Sequence, residues 1–234
     1  MFASTDGEKW AFLQSGTEVA LNAVAHGERR FVTVGNGGTI LTSPDGETWV
    51  RQEAGVAANL HAVAHADGQF VAVGTSGTIL TSPDGQDWSR QETGEAGLLR
   101  AVAFGNGTFV AVGPARVVLT SRDGVHWRQR DSGAWVCLRA VAFGGGQFVT
   151  VGCSGTVLTS RDGLRWKPQS AGTQESLRGV AWTGQQFIAV GTKRTILTSA
   201  NGTNWTALPS KSQRDLNGIA DAGELLVAVG GGGG

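Results

Sequence analysis

The chain has 234 residues, with 19 Lys plus Arg, 19 Asp plus Glu and a formal net charge of zero. This balance provides no bulk attraction to nucleic acid or to an anionic membrane surface, so we expect neither as a partner. No apolar run reaches the ~18 residues that a membrane-spanning helix needs. Two cysteines are too few for a disulfide scaffold.

A tryptophan recurs every 39 residues along the whole sequence, at Trp10, Trp49, Trp88, Trp127, Trp166 and Trp205. A serine and, three residues after it, a glycine repeat in the same register, as in Ser43 and Gly46. A constant period of this length is typical of propellers and solenoids. The sequence therefore predicts six copies of one structural unit in a single domain, residues 1–234.

Residues 60–98 represent one repeat. The segments with strand character are 60–66, 70–74, 78–82 and 88–92. Turn signals such as Asp67-Gly68 separate them, and four short strands joined by tight turns predict one antiparallel blade. The fourth segment is polar, as expected of an outer strand that faces water.

The two ends of the sequence complete one another. Residues 230–234 followed by residues 1–4 align with residues 35–43 without a missing position. We therefore expect residues 216–230 to supply two inner strands of the last blade and residues 1–14 its two outer strands. A solenoid would need atypical capping repeats. The predicted fold is an all-β, six-bladed β-propeller with four antiparallel strands per blade and a last blade closed by both termini.

Residues 43–49 (SPDGETW) and their copies resemble the Asp-box (BNR) motif of sialidase-like propellers. The surrounding sequence at 70–88 resembles bacterial BNR-like arrays related to the photosystem II assembly factor family. Here glycine follows the aspartate directly, which shortens the turn. The resemblance covers the whole chain and implies a propeller in which the motif lies on the face opposite the ligand site. Members of the family often carry an arginine cluster near the channel and are often extracytoplasmic.

The acidic residue of each motif is explained by turn chemistry alone. An Asp or Asn side chain accepts backbone N–H bonds within its own turn, and glycine supplies a positive φ. We therefore expect a structural role, not a catalytic one, for Asp6, Asp45, Asp84, Asp123, Asp162 and Asn201.

The sequence carries no recognisable catalytic machinery. Sialidases of the resembling family use a tyrosine nucleophile, and this chain has no tyrosine. Nucleophile-elbow, zinc-protease and phosphate-loop motifs are also missing from the sequence. His61 and His65 share a strand face but would lie ~13 Å apart, too far to bind one metal. We expect no catalytic residue, no metal and no cofactor.

Residues that interrupt the repeat are concentrated in its middle copies. The second position of strand one reads Asn22, His61, Arg100, Arg139, Arg178 and Asn217. Arg116 and Arg194 replace glycine in the turn between strands two and three, and Trp135 lies in an inter-blade loop. The candidate ligand-binding set is therefore Arg100, Arg116, Trp135, Arg139, Arg178 and Arg194.

Guanidinium groups in this set suit carboxylate, sulfate or phosphate, and the tryptophan suits a sugar or apolar group. The alternative is structural, because arginines near strand ends commonly satisfy neighbouring carbonyls. The same loops carry acidic residues, namely Glu95, Asp131, Glu175 and Asp215.

The leading functional hypothesis is a monomeric, non-catalytic binding or assembly scaffold. It would recognise an anionic small molecule, a glycan or a protein on the arginine-bearing face. One alternative is an engineered or excised repeat protein without a selected ligand. Another is a hydrolase or lyase that acts on an acidic sugar. Met1 falls within the repeat pattern without a preceding signal peptide, so we expect a processed, trimmed or engineered form. The sequence does not indicate a compartment.

Cys137 and Cys153 both lie in the fourth repeat. A three-residue hairpin loop at 144–146 would place them opposite each other on strands one and two. Facing residues have Cα atoms ~4.5–5.5 Å apart, which is compatible with a disulfide. Two reduced thiols packed as small apolar groups are the alternative.

Overall fold

The computed structural model describes residues 1–94, 97–133, 137–210, 214–221 and 225–231. Within these ranges the secondary structure consists of short β-strands and three single-turn 3-10 segments. No helix in the described part of the chain is long and apolar enough to cross a membrane. The all-β fold class is thus confirmed.

Two compact units make up the chain, one of residues 1–102 with 123–127 and one of residues 103–122 with 128–234. The first ten strands are β1 (Phe2–Ala3), β2 (Ala11–Phe12), β3 (Leu21–Gly27), β4 (Arg30–Gly35), β5 (Ile40–Ser43), β6 (Val50–Gln52), β7 (Leu60–Ala66), β8 (Gln69–Gly74), β9 (Ile79–Ser82) and β10 (Ser89–Gln91). They form a two-stranded sheet, β1-β2, and two four-stranded antiparallel sheets, β3-β4-β5-β6 and β7-β8-β9-β10.

The remaining strands repeat this pattern. They are β11 (Ala101–Gly105), β12 (Thr108–Val112), β13 (Val118–Ser121), β14 (Arg128–Gln129), β15 (Leu138–Gly144), β16 (Gln147–Gly152), β17 (Thr156–Ser160), β18 (Lys167–Ser170), β19 (Leu177–Trp182), β20 (Phe187–Gly191), β21 (Ile196–Ser199), β22 (Thr206–Ala207), β23 (Leu216–Asp221) and β24 (Leu226–Gly230). Three further four-stranded sheets follow in sequence order, and β23-β24 forms a two-stranded sheet.

The inner strands carry the core. All four residues of β5 and of β9 are buried, whereas the outer strands β6 and β10 are largely exposed. Phe70 is fully buried and packs between His65 and Trp88, with ring centroids 4.5 and 6.5 Å away. Full burial of such a side chain contributes about 1.5–3 kcal/mol. Apolar residues therefore occupy both faces of the middle strands, and polar residues occupy the outer strand.

In the β7-β8 and β15-β16 hairpins, strands one and two are joined by two-residue turns in the left-handed conformation. Asp67 and Gly68 have φ values of 51° and 70°, and Gly145 and Gly146 have 53° and 77°. Gly144 pairs directly with Gln147, so the expected three-residue loop at 144–146 is wrong. A two-residue turn with positive φ at both positions matches the twist of the flanking strands, which explains the preference.

A β-bulge follows the first residue of strand one in five sheets. The register shifts between Leu21 and Ala23, and the same shift recurs one repeat later, at Leu60 and Ala62. The extra residues at the bulges are Asn22, His61, Arg139, Arg178 and Asn217. A bulge removes one residue from the ladder and redirects its side chain. The second position of strand one is therefore not an ordinary strand position.

Each end of the chain presents exposed apolar surface. In the first unit Phe2 and Phe12 are 63% and 66% exposed, with ring centroids 5.5 Å apart. Val24 of β3 is 61% exposed, whereas the equivalent Val63 is 8% exposed. A cleft of about 1020 Å³ lies between β1-β2 and the β3-β4 hairpin. In the second unit, Val229 of β24 is 58% exposed.

Candidate functional site

The bulge residues reach from one sheet to the next. Asn22 Nδ2 donates to the carbonyl of Leu60 at 2.8 Å and to Asn36 Oδ1 at 2.9 Å. Arg178 Nη1 donates to Asn217 Oδ1, the next bulge residue, at 2.6 Å. Consecutive bulge positions within one unit are therefore neighbours along the ends of the inner strands.

Two of the predicted arginines are held by carboxylates. Arg178 Nη2 lies 3.1 Å from Asp215 Oδ2, and Arg116 Nη2 lies 2.6 Å from Asp131 Oδ1. The Gly133 amide and then Arg116 lower the pKa of Asp131 below its ordinary value. These ion pairs connect a bulge residue, Arg178, and a turn residue, Arg116, each to the following inter-blade loop, and they favour a structural contribution from both arginines.

The third pair of this kind uses a lysine. Lys193 Nζ lies 2.9 Å from Glu175 Oε1, and its backbone N–H donates to Asp215 Oδ1 at 2.9 Å. The hydrogen bond from Lys193 lowers the pKa of Glu175. Acidic residues of the loops thus offset much of the positive charge around the predicted site, while Glu95 lies outside the described residues.

Arg139 has a different environment. It is half-buried, and its Nε donates to Cys153 Sγ at 3.4 Å. This contact is the main reason that its pKa lies above the ordinary value. Among the residues that the structure describes, no carboxylate pairs with this guanidinium. Arg139 is therefore the bulge arginine of the second unit that remains available for an anion.

Arg100 lies in the first unit and contains a buried, unsatisfied donor. Its Nε has no hydrogen-bond partner among the described residues. Burial and then the charge of Arg100 lower the pKa of nearby His61. The His61 imidazole is therefore mainly neutral at pH 7. A buried donor without a partner is uncommon in native proteins.

Arg116 and Arg194 occupy left-handed backbone positions, with φ values of 70° and 64°. The equivalent position in the fourth repeat is Gly155, where an added Cβ would lie 1.9 Å from the carbonyl oxygen of Thr173. A non-glycine residue in this conformation costs about 1–2 kcal/mol. Arg194 is exposed and has no ion pair within the described ranges. Trp135, the aromatic member of the predicted set, lies outside these ranges.

The repeated serine–aspartate turn forms a compact hydrogen-bond network. Ser43 Oγ donates to Asp45 Oδ1 at 2.8 Å, and the same carboxylate oxygen accepts the Glu47 and Thr48 amides, both at 2.8 Å. These bonds, with the Thr48 amide first, lower the pKa of Asp45 from 3.8 to about 2. Trp49 Nε1 closes the turn by donating to the Gly46 carbonyl at 3.0 Å.

The sixth turn has the same bonds without a carboxylate. Asn201 Oδ1 accepts the amides of Thr203 and Asn204 at 3.0 Å. The tryptophan contact recurs in every copy, with Trp205 Nε1 donating to the Gly202 carbonyl at 3.0 Å. An amide oxygen therefore replaces the carboxylate here, and the network needs an acceptor but no charge.

Sequence reasoning missed the bulge and the contact between Arg139 and Cys153. One signal was present, because Leu21 and Val24 are separated by two residues, which breaks strict alternation along β3. The thiol contact depends on side-chain directions that the repeat pattern does not contain. Within the described residues no group of three or more His, Cys, Asp or Glu is arranged to hold a metal.

Comparison with known proteins identifies the fold. A family model described as the DUF6242 β-propeller domain matches residues 11–136, more than half of the chain. No curated protein matches the sequence significantly. A structure of YCF48 bound to D1 peptide is similar, with a TM-score of 0.76 and 16% identity over 96% of this chain and 79% of the other.

Two further solved structures are similar. YCF48 from Cyanidioschyzon merolae has a TM-score of 0.72 and 16% identity, over 96% of this chain and 84% of the other. The computationally designed Ika8 protein has a TM-score of 0.70 and 16% identity, over 89% of this chain and 67% of the other. At this identity the similarity shows the fold, a β-propeller of about six blades with mostly four-stranded antiparallel sheets.

Proposed function

Because the chain belongs to the DUF6242 β-propeller domain family, we propose that it is a non-catalytic binding or assembly scaffold that recognises an anionic segment of a partner protein. The observation that carries the proposal is Arg139, a half-buried bulge arginine with no paired carboxylate among the described residues. A ligand carboxylate would pair with the Arg139 guanidinium.

The members of the candidate set have unequal roles in this proposal. Arg139 supplies the guanidinium group that meets the ligand, and the exposed Arg194 adds an outer contact. Arg116 and Arg178 shape the surface through their ion pairs with Asp131 and Asp215. Trp135 would stack on an apolar part of the ligand. We thus assign affinity mainly to Arg139 and Arg194, which have no carboxylate partner among the described residues.

The class of ligand follows from this mixed surface. On this surface, arginines in ion pairs lie among arginines outside such pairs. This arrangement suits a segment with spaced carboxylates better than a single highly charged ion. The YCF48 structure with D1 peptide is a case of the same fold in complex with a peptide. We therefore propose an acidic peptide segment as the ligand, with sulfate, citrate and acidic sugars as simpler probes of the same chemistry.

The proposal also states that the protein does not catalyse a reaction. The chain contains no tyrosine, and we propose that the five serine–aspartate turns and the Asn201 turn are Asp-box turns with a structural role. Their carboxylates are occupied by backbone amides, as at Asp45. The Asn201 turn supports this role, because it forms the same bonds without an acid.

Fluorescence anisotropy with a labelled Glu-containing peptide tests the proposal. We expect weak binding that falls with salt, since partly exposed charges are screened over ~8 Å at physiological ionic strength. Arg139→Ala should weaken binding more than Arg90→Ala, which removes an exposed arginine of the outer strand β10. A Gln-containing peptide should not bind. Equal affinity for both peptides, or no effect of Arg139→Ala on any bound anion, would show that the arginines are structural.

A further inference from the structure

Cys137 and Cys153 occupy a pair of positions that the repeat brings together in other sheets. Their equivalents are Asn59 with Thr75 and Ser176 with Thr192. In all three sheets, the backbone N–H of the second residue donates to the carbonyl of the first, at 2.9–3.0 Å. Both members of the pair are thus replaced by cysteine in one sheet, and the backbone contact is the same.

The close approach of the two strands fixes the relative position of Cys137 and Cys153. Gly152 precedes Cys153, and a Cβ at Gly152 would lie 1.9 Å from the Cys137 carbonyl oxygen. The bulge at Arg139 shifts the register by one residue, which offsets the shorter hairpin turn. Cys137 therefore faces Cys153 although the turn has two residues instead of three.

The side chains differ from those in the equivalent sheets. There the threonine hydroxyl accepts a backbone N–H, as between Thr192 and Ser176 at 3.0 Å. In the cysteine sheet, a thiol occupies each of the two positions. Neither cysteine is in a disulfide, and both residues are half-buried. Facing residues on paired strands have Cα atoms ~4.5–5.5 Å apart, which is within the range that a disulfide spans.

One of the two thiols has an activating neighbour. Arg139 Nε donates to Cys153 Sγ at 3.4 Å. Burial raises the pKa of Cys153, but the contacts with Cys137, Arg139 and Ser176 together lower it below the ordinary value. A thiolate next to a guanidinium is the reactive form of cysteine. The two sulfurs therefore differ in character, with Cys153 as the nucleophile.

We propose that Cys137 and Cys153 form a redox-active dithiol, in which Cys153 attacks a small hydroperoxide and Cys137 resolves the product as a disulfide. In the first step, the Cys153 thiolate forms an S–O bond to the terminal peroxide oxygen while the O–O bond breaks. Sulfur is oxidised to sulfenic acid, and the peroxide is reduced to an alkoxide that takes a proton from water. Arg139 holds the thiolate in place for this step.

In the second step, the Cys137 sulfur attacks the Cys153 sulfur. An S–S bond forms, the S–O bond breaks, and the hydroxide leaves with the Cys137 proton as water. A cellular thiol returns the pair to the reduced state by thiol–disulfide exchange. The dithiol shares Arg139 with the proposed anion contact, but its chemistry requires no bound partner.

The test uses the reduced full chain treated with tert-butyl hydroperoxide. Mass spectrometry of unreduced peptides should show a Cys137–Cys153 disulfide. Cys137→Ser should instead leave a sulfenic acid at Cys153, which dimedone traps. Cys153→Thr should leave Cys137 largely unmodified. These substitutions introduce the residues found in the equivalent sheet, Ser176 and Thr192, so the fold should tolerate them.

The contribution of Arg139 has a separate readout. The alkylation rate of Cys153 by iodoacetamide is measured against pH in the Cys137→Ser chain, with Arg139→Gln and, as a control, Arg90→Gln. We expect Arg139→Gln to move the inflection to higher pH, and to slow the reaction at neutral pH about threefold for each unit of that shift. Arg139→Lys should restore part of the rate.

Three results would overturn the proposal. The first is equal peroxide reactivity of the two cysteines in their single-cysteine chains. The second is sulfenic acid without disulfide in the unmodified chain. The third is a pH profile that Arg139→Gln leaves unchanged while melting curves show a folded protein. Failure of peptide binding would not affect these readouts, so the two proposals are tested independently.

Discussion

Arg178 forms a 3.1 Å ion pair with Asp215, which lies just before the next inner strand. One repeat earlier, Arg139 occupies the equivalent bulge, and the residue equivalent to Asp215 is Ser176. A hydroxyl does not neutralise a guanidinium. The difference between a paired and an available arginine therefore comes from one position in the following loop.

Exchanging these loop residues should move the anion site. We expect Ser176→Asp to pair with Arg139 and weaken binding of the acidic peptide about tenfold, equivalent to ~1.4 kcal/mol. Asp215→Asn should free Arg178 and strengthen binding by a similar factor. Anisotropy titrations at fixed salt measure both. If the two substitutions change affinity in the same direction, charge pairing does not control the site.

Closure through the termini remains a prediction. The register runs without a gap from Gly230 to Ser4, and both β1-β2 and β23-β24 are two-stranded sheets with exposed apolar residues. We expect the four strands to form one blade that buries this surface. Deleting residues 1–10 should then expose sheet edges and cause aggregation or loss of cooperative melting. An unchanged melting curve would exclude closure by the N-terminal strands.

The serine–aspartate turns should make the stability of the fold depend on pH in the acidic range. The pKa of Asp45 is lowered to about 2 from 3.8, so its contribution is fully present above 3.8 and is lost as the pH falls through about 2. Asp45→Asn should keep the acceptor and remove this dependence, as the natural Asn201 turn does. Asp45→Ala should destabilise the chain at neutral pH as well. Acid-unfolding curves that are identical for the three chains would contradict this assignment.

The contribution of each turn tryptophan to the free energy of unfolding should increase with its burial. Trp166 is 8% exposed, and its Nε1 donates to the Gly163 carbonyl at 3.0 Å. Trp166→Phe removes this bond inside the core and should cost about 1–3 kcal/mol. Trp10 makes the same bond but is 52% exposed, so Trp10→Phe should cost less than ~1 kcal/mol because water replaces the donor. Urea unfolding measures both, and equal losses would contradict the argument.

The fold class followed from periodicity because each repeat carries its own turn signals. Asp67-Gly68 and the Trp88 motif predicted strand boundaries that the structure confirms to within two residues. The hairpin at Gly145 was predicted one residue too long. Turn length depends on the twist of both strands, and a glycine triplet does not distinguish two-residue from three-residue loops.

The candidate site was less predictable. The shared position of Arg139 and Arg178 was visible in the sequence, but its location at a bulge was not. Whether a carboxylate pairs with each arginine depends on how the inter-blade loop folds back. The repeat pattern includes Asp215 and Ser176 only as loop residues. The sequence pattern thus located the arginine position, and tertiary contacts determined whether a carboxylate pairs with it.

The bulge also bears on how such a chain can diversify. A bulge residue makes no ladder pairing, so its identity is nearly independent of strand register and core packing. Asn22, His61, Arg139 and Arg178 occupy the same backbone site with three different kinds of side chain. Each repeat therefore offers one position that mutation can vary at low cost in stability. A repeat array of this type can acquire new specificities one position at a time while its scaffold stays unchanged.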